Sequence, residues 1–384
     1  MSTTMLLKRG VFVAMAAFRC PPEVLLRSAA RSQIICRASL QTSSAVGHHE
    51  VAGVQHTHRA AVCNELGKPL TISEVPSAEQ LDDGQVRLAV HTCGINFADI
   101  LTVAGQYQVK PPLPFIPGNE VAGEVLEVAD GVSSVKKGDR VVGCLALGSG
   151  FSEQCLAYED DLYRIPNSMS YEEAAAMPVS YGTAWMGLTR RANTQPGETV
   201  LVTAAAGGVG LATVDLASHV LGAKVIGAAG GPEKCKLVTD KGAMAAIDYK
   251  VESVRDKTKE LTKGRGANVI MDAVGGDIFK DCLRCISWEG RIVIIGFTSG
   301  EIPKIPANIL LVKNISALGL FWGNYRMHDP PRIRQSVEDC IGFFEEGKIK
   351  PHVCATFPLE KVNEAFKLMM SRKSTGKVVI TMRK

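Results

Sequence analysis

Chemistry is signalled most clearly by small residues at one spacing, Ala205-x-Gly207-x-x-Gly210. A β-branched apolar run, Val200, Leu201, Val202 and Thr203, precedes them and reads as a buried strand. Val209, Ala212, Leu216, Ala217 and Val220 then fall on one helical stripe, which Gly222 closes. A second strand is read at 224–229. The whole is a β-α-β unit with glycines at its first turn, the setting in which this pattern marks a dinucleotide site rather than a buried turn. Ala205 permits the tight turn, Gly207 lets a pyrophosphate approach the backbone, and Gly210 lets helix and strand pack closely. Gly208, Val209 and Gly210 open the helix, where free N–H groups attract phosphate.

Which dinucleotide is decided about 20 residues further on, where an NAD site carries an acid for the ribose hydroxyl. The stretch there is Ala228-Ala-Gly230-Gly231-Pro232, without an acid. Gly230 leaves room for a 2′-phosphate, and Lys234 is placed to neutralise it. NADPH is therefore the expected cofactor. The competing account of Lys234 is a solvated lysine in the first turn of a helix.

The elements that must position this turn are read along 384 residues, enough for two domains. Before it, short strands are read at 60–63, 70–75, 85–92, 121–128, 140–142 and 151–157, punctuated by turn signals such as Asp82-Asp83-Gly84. That texture suggests a partly closed β-barrel. After the turn, helices and strands alternate through strands at 246–249, 269–274, 291–296 and 315–320. Six strands in all make a doubly wound parallel sheet. Helices at 332–346 and 360–370 and a strand at 376–381 are expected to return to the barrel. The fold class is α/β. The domains are a leader over 1–47, a linker over 48–58, a barrel over 59–182 joined by 322–384, and a dinucleotide domain over 183–321.

Hydrophobic residues make up 46% and charged residues 21%, values of an ordinary globular chain. No run is long enough to span a membrane. The formal charge is +4, but residues 1–47 hold six cations against Glu23 alone, so the remainder carries one negative charge. A dominant nucleic-acid surface on the folded part is therefore not expected. The leader, rich in spaced arginines, Ser and Ala, has the composition of a mitochondrial transit peptide, and the matrix is the expected location; a cytosolic extension is the alternative. Eleven scattered cysteines suit a reducing compartment. The CxxC pair, Cys282 and Cys285, lacks a second pair at zinc spacing and reads as core or surface cysteine.

Several motifs in order, Thr92-Cys-Gly-Ile-Asn-Phe-Ala-Asp99, Gly105-Gln-Tyr107, Pro114-Phe-Ile-Pro-Gly-Asn-Glu-Val-Ala-Gly123, Lys137-Gly-Asp-Arg-Val141, the glycine turn and Gly376-Lys-Val-Val-Ile380, resemble the medium-chain dehydrogenases/reductases. The likeness covers residues 59–384 and is nearest the zinc-free quinone oxidoreductase, or ζ-crystallin-like, branch. It implies a GroES-like barrel beside a Rossmann domain, and hydride transfer from NADPH to a quinone or other activated carbonyl compound. Zinc relatives carry Cys and His where this chain has Asn96 and Asn119, and amides are poor zinc ligands, so no metal is expected. By the same resemblance Asn96 and Tyr107 line the acceptor site and Thr183 stands near the nicotinamide carboxamide. Tyr249 is placed by the adenosine phosphate, and Val274 and Phe297 follow strands four and five, where such sheets bind ligands. Lys377 is assigned either to the ribose phosphate or to the surface. The competing accounts are a turn-stabilising Asn96, a half-buried barrel Tyr107, a helix-start Thr183 and a strand-end Tyr249. A homodimer or homotetramer is implied. Two other functions share these motifs: a mitochondrial enoyl thioester reductase, and a non-catalytic NADPH-binding or RNA-binding protein.

Overall fold

The computed structural model describes residues 56–146 and 148–383. The expected leader, and the linker as far as residue 55, lie outside them. The chain forms two units. One runs Val179–His352; the other takes in the described chain up to Pro178 and resumes at Val353.

The first unit is built on six parallel strands, in the spatial order Ala245–Asp248, Lys224–Ala229, Thr199–Val202, Ala267–Asp272, Ile286–Ile294 and Ser316–Gly319. Strand order reverses between Thr199–Val202 and Ala267–Asp272, the arrangement of a doubly wound Rossmann sheet. The strands read as continuous apolar runs because helices cover both faces of such sheets. Leu201, Ile226, Ile247, Ile270 and Ile292, one from each of five strands, lie fully buried in one core with Phe279 and Cys282 of helix Gly276–Cys285. Cys282 and Cys285 are thus core thiols, and burial pushes both above the usual thiol range.

One grouping differs from the sequence reading. Residues 322–352 belong to this unit, not to the barrel. Helix Pro330–Glu345 is held here by Trp185, whose Nε1 donates to Asp339 at 2.8 Å, and by Trp322, whose Nε1 donates to Ser336 at 3.0 Å. An amphipathic pattern announces that a helix buries a face; it does not name the partner. A further helix, Ala307–Lys313, was not anticipated.

The second unit contains a ribbon, Thr57–Val62 paired with Thr71–Pro76, and a seven-stranded sheet. The sheet runs Val353–Pro358, Lys377–Thr381, Gln85–Gly94, Glu120–Val128, Arg140–Cys144 and Leu162–Arg164, and Gln154–Tyr158 pairs on Gln85–Gly94. This is the partly closed GroES-like barrel. Gly123 is required by sheet closure, since a Cβ there would stand 2.0 Å from the Ala89 carbonyl oxygen. Helix Phe97–Val103 is short and was not read from the sequence. Its start is nonetheless written in Asn96-x-x-Asp99: Asp99 Oδ2 accepts the Asn96 backbone N–H at 2.7 Å, as one half of a capping box does. Among the described residues no helix is long and apolar enough to cross a membrane.

Candidate active site

In the dinucleotide unit, strand Thr199–Val202 delivers the chain to a turn that only small residues can make. Ala204 takes a left-handed conformation, φ +46°. The Ala205 N–H donates to the Ala228 carbonyl at 2.9 Å, and Ala205 is fully buried. A Cβ on Gly210 would lie 2.3 Å from the Ala204 carbonyl oxygen, so the helix could not pack this close with any other residue. Helix Gly208–His219 begins at Gly207, which has no side chain to accept the first N–H groups of the helix. Gly207, Gly208, Val209 and Gly210 therefore present the uncapped helix start that a pyrophosphate requires.

The ends of the next two strands converge beside it. A Cβ on Gly230 would stand 2.7 Å from the Tyr249 hydroxyl, so the glycine makes room for the phenol. Lys234 sits in the first turn of helix Pro232–Asp240. Lys250, which the sequence reading passed over, brings its ammonium to within 3.8 Å of where a Gly231 Cβ would be. Gly230 and Tyr249 thus meet at the ends of two strands, and Lys234 follows Gly230 by four residues in the start of the helix between them.

A second missed residue organises the loops after strands four and five. Asp272 is fully buried. It accepts the Thr203 hydroxyl at 2.7 Å and the N–H groups of Val274 at 3.2 Å and Gly275 at 3.0 Å. Burial nevertheless pushes its carboxyl above the usual range. Val274 is tied in turn to the loop that carries Phe297, since its carbonyl accepts the Ser299 N–H at 3.0 Å. Thr183 is buried in the interior of helix Pro178–Met186, not at its start.

The barrel unit gathers a separate polar cluster. Asn96 caps helix Phe97–Val103. Its Nδ2 donates to Glu120 at 2.6 Å, and its Oδ1 accepts from Lys377 Nζ at 2.8 Å. Lys377 also makes a short ion pair with Glu120, which is fully buried. Lys377 is itself only 5% exposed, so the structure does not give the surface lysine that was one of the two expectations. Its ammonium is engaged with Glu120 and Asn96 within the barrel unit. Tyr107 is half-buried; burial and then the charge of Asp99 raise its phenol above the usual range. Asp99 is 2% exposed, and burial pushes its carboxyl up to about 7. Asp99, Glu120 and the buried Lys377 were missed as a group because nothing local connects them.

The sequence comparisons agree with this architecture. A family described as "Alcohol dehydrogenase GroES-like domain" matches residues 82–184, and one described as "Zinc-binding dehydrogenase" matches residues 208–340. A quinone oxidoreductase-like protein 2 homolog of Nematostella vectensis is 55% identical over 367 residues, 95% of this chain and 99% of that one. The chain belongs to the quinone oxidoreductase-like protein 2 family. The Rattus norvegicus member is 51% identical over 86% of this chain and 94% of its own. Among solved structures, a quinone oxidoreductase of Escherichia coli complexed with NADPH has a TM-score of 0.75 at 28% identity, covering 85% of this chain and 99% of that one. The family is one of medium-chain oxidoreductases.

The name of the second matched family raises the question of zinc. At the two positions considered, this member of the quinone oxidoreductase-like protein 2 family offers amides. Asn96 is held between Glu120 and Lys377, and Asn119 Nδ2 donates to the Leu145 carbonyl at 2.7 Å. An ammonium beside the Asn96 oxygen opposes a dication there. Among the described residues no three His, Cys, Asp or Glu side chains are grouped to hold a metal. This donor set does not fit zinc.

Proposed function

We propose that this chain is a zinc-independent, NADPH-dependent reductase of quinones or other activated carbonyl compounds. The observation that carries the reading is Asn96, clamped by Lys377 and Glu120 at a position where zinc relatives place a ligand. The amide has two N–H donors, and Glu120 takes one. The second is left for an acceptor oxygen, and the fixed amide costs no reorganisation when charge develops there. When bound, NADPH supplies the hydride. Gly207, Gly208, Val209 and Gly210 would hold its pyrophosphate, and Gly230, Lys234 and Tyr249 its 2′-phosphate. Val274, Phe297 and Thr183 would face its nicotinamide end. Tyr107 donates a proton to the reduced acceptor. The NADPH-bound Escherichia coli relative supports the cofactor assignment. We further place the protein in the mitochondrial matrix, as a homodimer or homotetramer, on its leader composition and family.

The test follows absorbance of NADPH with the purified protein and 1,4- and 1,2-quinones, beside NADH controls and an Asn96→Ala variant. Turnover that prefers NADPH and falls at least tenfold in the variant supports the reading. NADPH binding without turnover on any quinone overturns it. Enoyl thioesters, and salt-sensitive RNA retention, are the remaining arms of the same experiment.

A further inference from the structure

Strands Thr199–Val202 and Ala267–Asp272 flank the point where strand order reverses, and sheets of this kind bind ligands in the crevice there. The two run in register, Val200 beside Val269, Leu201 beside Ile270 and Val202 beside Met271. The Thr203 N–H extends the ladder by one bond, donating to the Met271 carbonyl at 3.0 Å. Side chains then take over. The Ala273 N–H donates to Thr203 Oγ1 at 3.0 Å, and the Thr203 hydroxyl donates to Asp272 Oδ1 at 2.7 Å. Thr203 and Asp272 are both buried. On its other side the same carboxylate accepts the N–H groups of Val274 at 3.2 Å and Gly275 at 3.0 Å. Gly275 has φ +72°, and a Cβ there would stand 3.1 Å from the Phe297 ring, so the glycine lets that ring approach. Thr203 leads directly into Ala204 and the glycine turn. One buried carboxylate thus holds the turn through Thr203 and the next loop through two N–H groups. On the opposite side, strand Lys224–Ala229 is joined to the turn by a backbone bond, Ala205 N–H to the Ala228 carbonyl at 2.9 Å. A buried carboxylate is an unfavourable way to join strands where a backbone bond serves, so its presence on this side calls for another reason.

We propose that Asp272, acting through Thr203, is a positioning residue for the dinucleotide: it fixes the span between the turn that holds the pyrophosphate and the loop that meets the nicotinamide end. The proposal rests on the NADPH reading above. A ligand whose two halves sit on two loops gains fully from both only when the spacing of the loops is already set. Loops that must be ordered on binding weaken the whole dinucleotide. A ligand that fills only the adenosine half does not need the span and does not carry that loss.

Calorimetric titration of the intact protein tests this with NADPH and with adenosine 2′,5′-bisphosphate, which has the 2′-phosphate but no nicotinamide. Thr203→Val keeps the shape of the side chain and removes the hydroxyl. It should raise the Kd for NADPH roughly 10-fold while changing that for the bisphosphate less than about twofold. Thr203→Ser puts the hydroxyl back and should return NADPH affinity to within about threefold of wild type. Asp272→Asn leaves one oxygen for two donors but turns an NH2 group toward the Gly275 N–H, or the reverse, and should show the same selective loss. If Asp272→Asn does not fold, the Thr203 pair decides. Equal losses for both ligands overturn the proposal, since they would make the pair a brace of the turn alone. Failure of Thr203→Ser to recover overturns it too. Wild type that does not bind NADPH sinks the cofactor reading and the proposal with it. Wild type that binds NADPH while Thr203→Val keeps its affinity sinks the proposal alone.

Discussion

Asp215 in the dinucleotide unit and Asp99 in the barrel unit are buried to the same depth, each 2% exposed. Their surroundings differ. Asp215 Oδ2 accepts from the Tyr181 hydroxyl at 2.7 Å, Lys241 Nζ at 2.7 Å and the Lys350 N–H at 3.0 Å, and Oδ1 meets His219 Nδ1 at 3.0 Å. Asp99 satisfies one oxygen and leaves the other bare. Depth of burial therefore does not decide what a carboxylate is for; the supply of donors and cations does. Asp215 joins a helix at 178–186, a helix at 208–219 and the segments around 241 and 350, and its charge is spent on holding them. Asp99, without a cation of its own and with one oxygen bare, has its carboxyl pushed by burial up to about 7.

The comparison can be broken by stability measurements. Asp215→Ala leaves Lys241 and Tyr181 without their acceptor, and truncating one member of a buried ion pair costs about 3–5 kcal/mol. Urea unfolding of that variant beside Asp99→Asn should show the first far more damaged; equal losses would erase the distinction.

The next largest effect concerns pH. The Asp99 carboxyl is raised from 3.8 to about 7, so the folded state binds the extra proton. Its stabilisation is fully present below the unfolded value and is lost as pH rises through the folded one. Wild-type stability should decline between about pH 4 and pH 7 by at most about 4 kcal/mol, at roughly 1.4 kcal/mol per pH unit. Asp99→Asn should remove that contribution from a pH series of melting temperatures. An unchanged slope would show that Asp99 ionises as freely as an exposed carboxyl.

Smaller effects sharpen the contrast between the units. Gly210→Ala drives a methyl onto the Ala204 carbonyl and should cost about 1–3 kcal/mol, together with most NADPH affinity, read by calorimetry. The barrel cluster should be untouched by it, as judged by an unchanged pH dependence of the melting temperature. Lys234→Ala should weaken NADPH by roughly fivefold, about 1 kcal/mol for one partly exposed charge, and leave NADH unchanged. Equal loss for both cofactors would move the 2′-phosphate elsewhere.

Local features of the chain were legible without coordinates. The strand read at 224–229 is the observed Lys224–Ala229, and the glycine turn stands where the spacing put it, because steric demands act over a few residues. Strand alternation and turn residues likewise announced two textures and hence the α/β pairing of barrel and doubly wound sheet. The Asn96-x-x-Asp99 cap was also in the sequence and went unread. What only tertiary structure decided lies at long separations. Lys377 is 281 residues from Asn96 and 257 from Glu120, and no periodicity or spacing relates them. The pattern at 330–345 specified an apolar face, while packing with Trp185 and Trp322 chose the unit it joins. The protonation of Asp99 is of the same kind. Residue type sets the ordinary acidity, and the sum of desolvation and unpaired neighbours, a property of folded space alone, moves it.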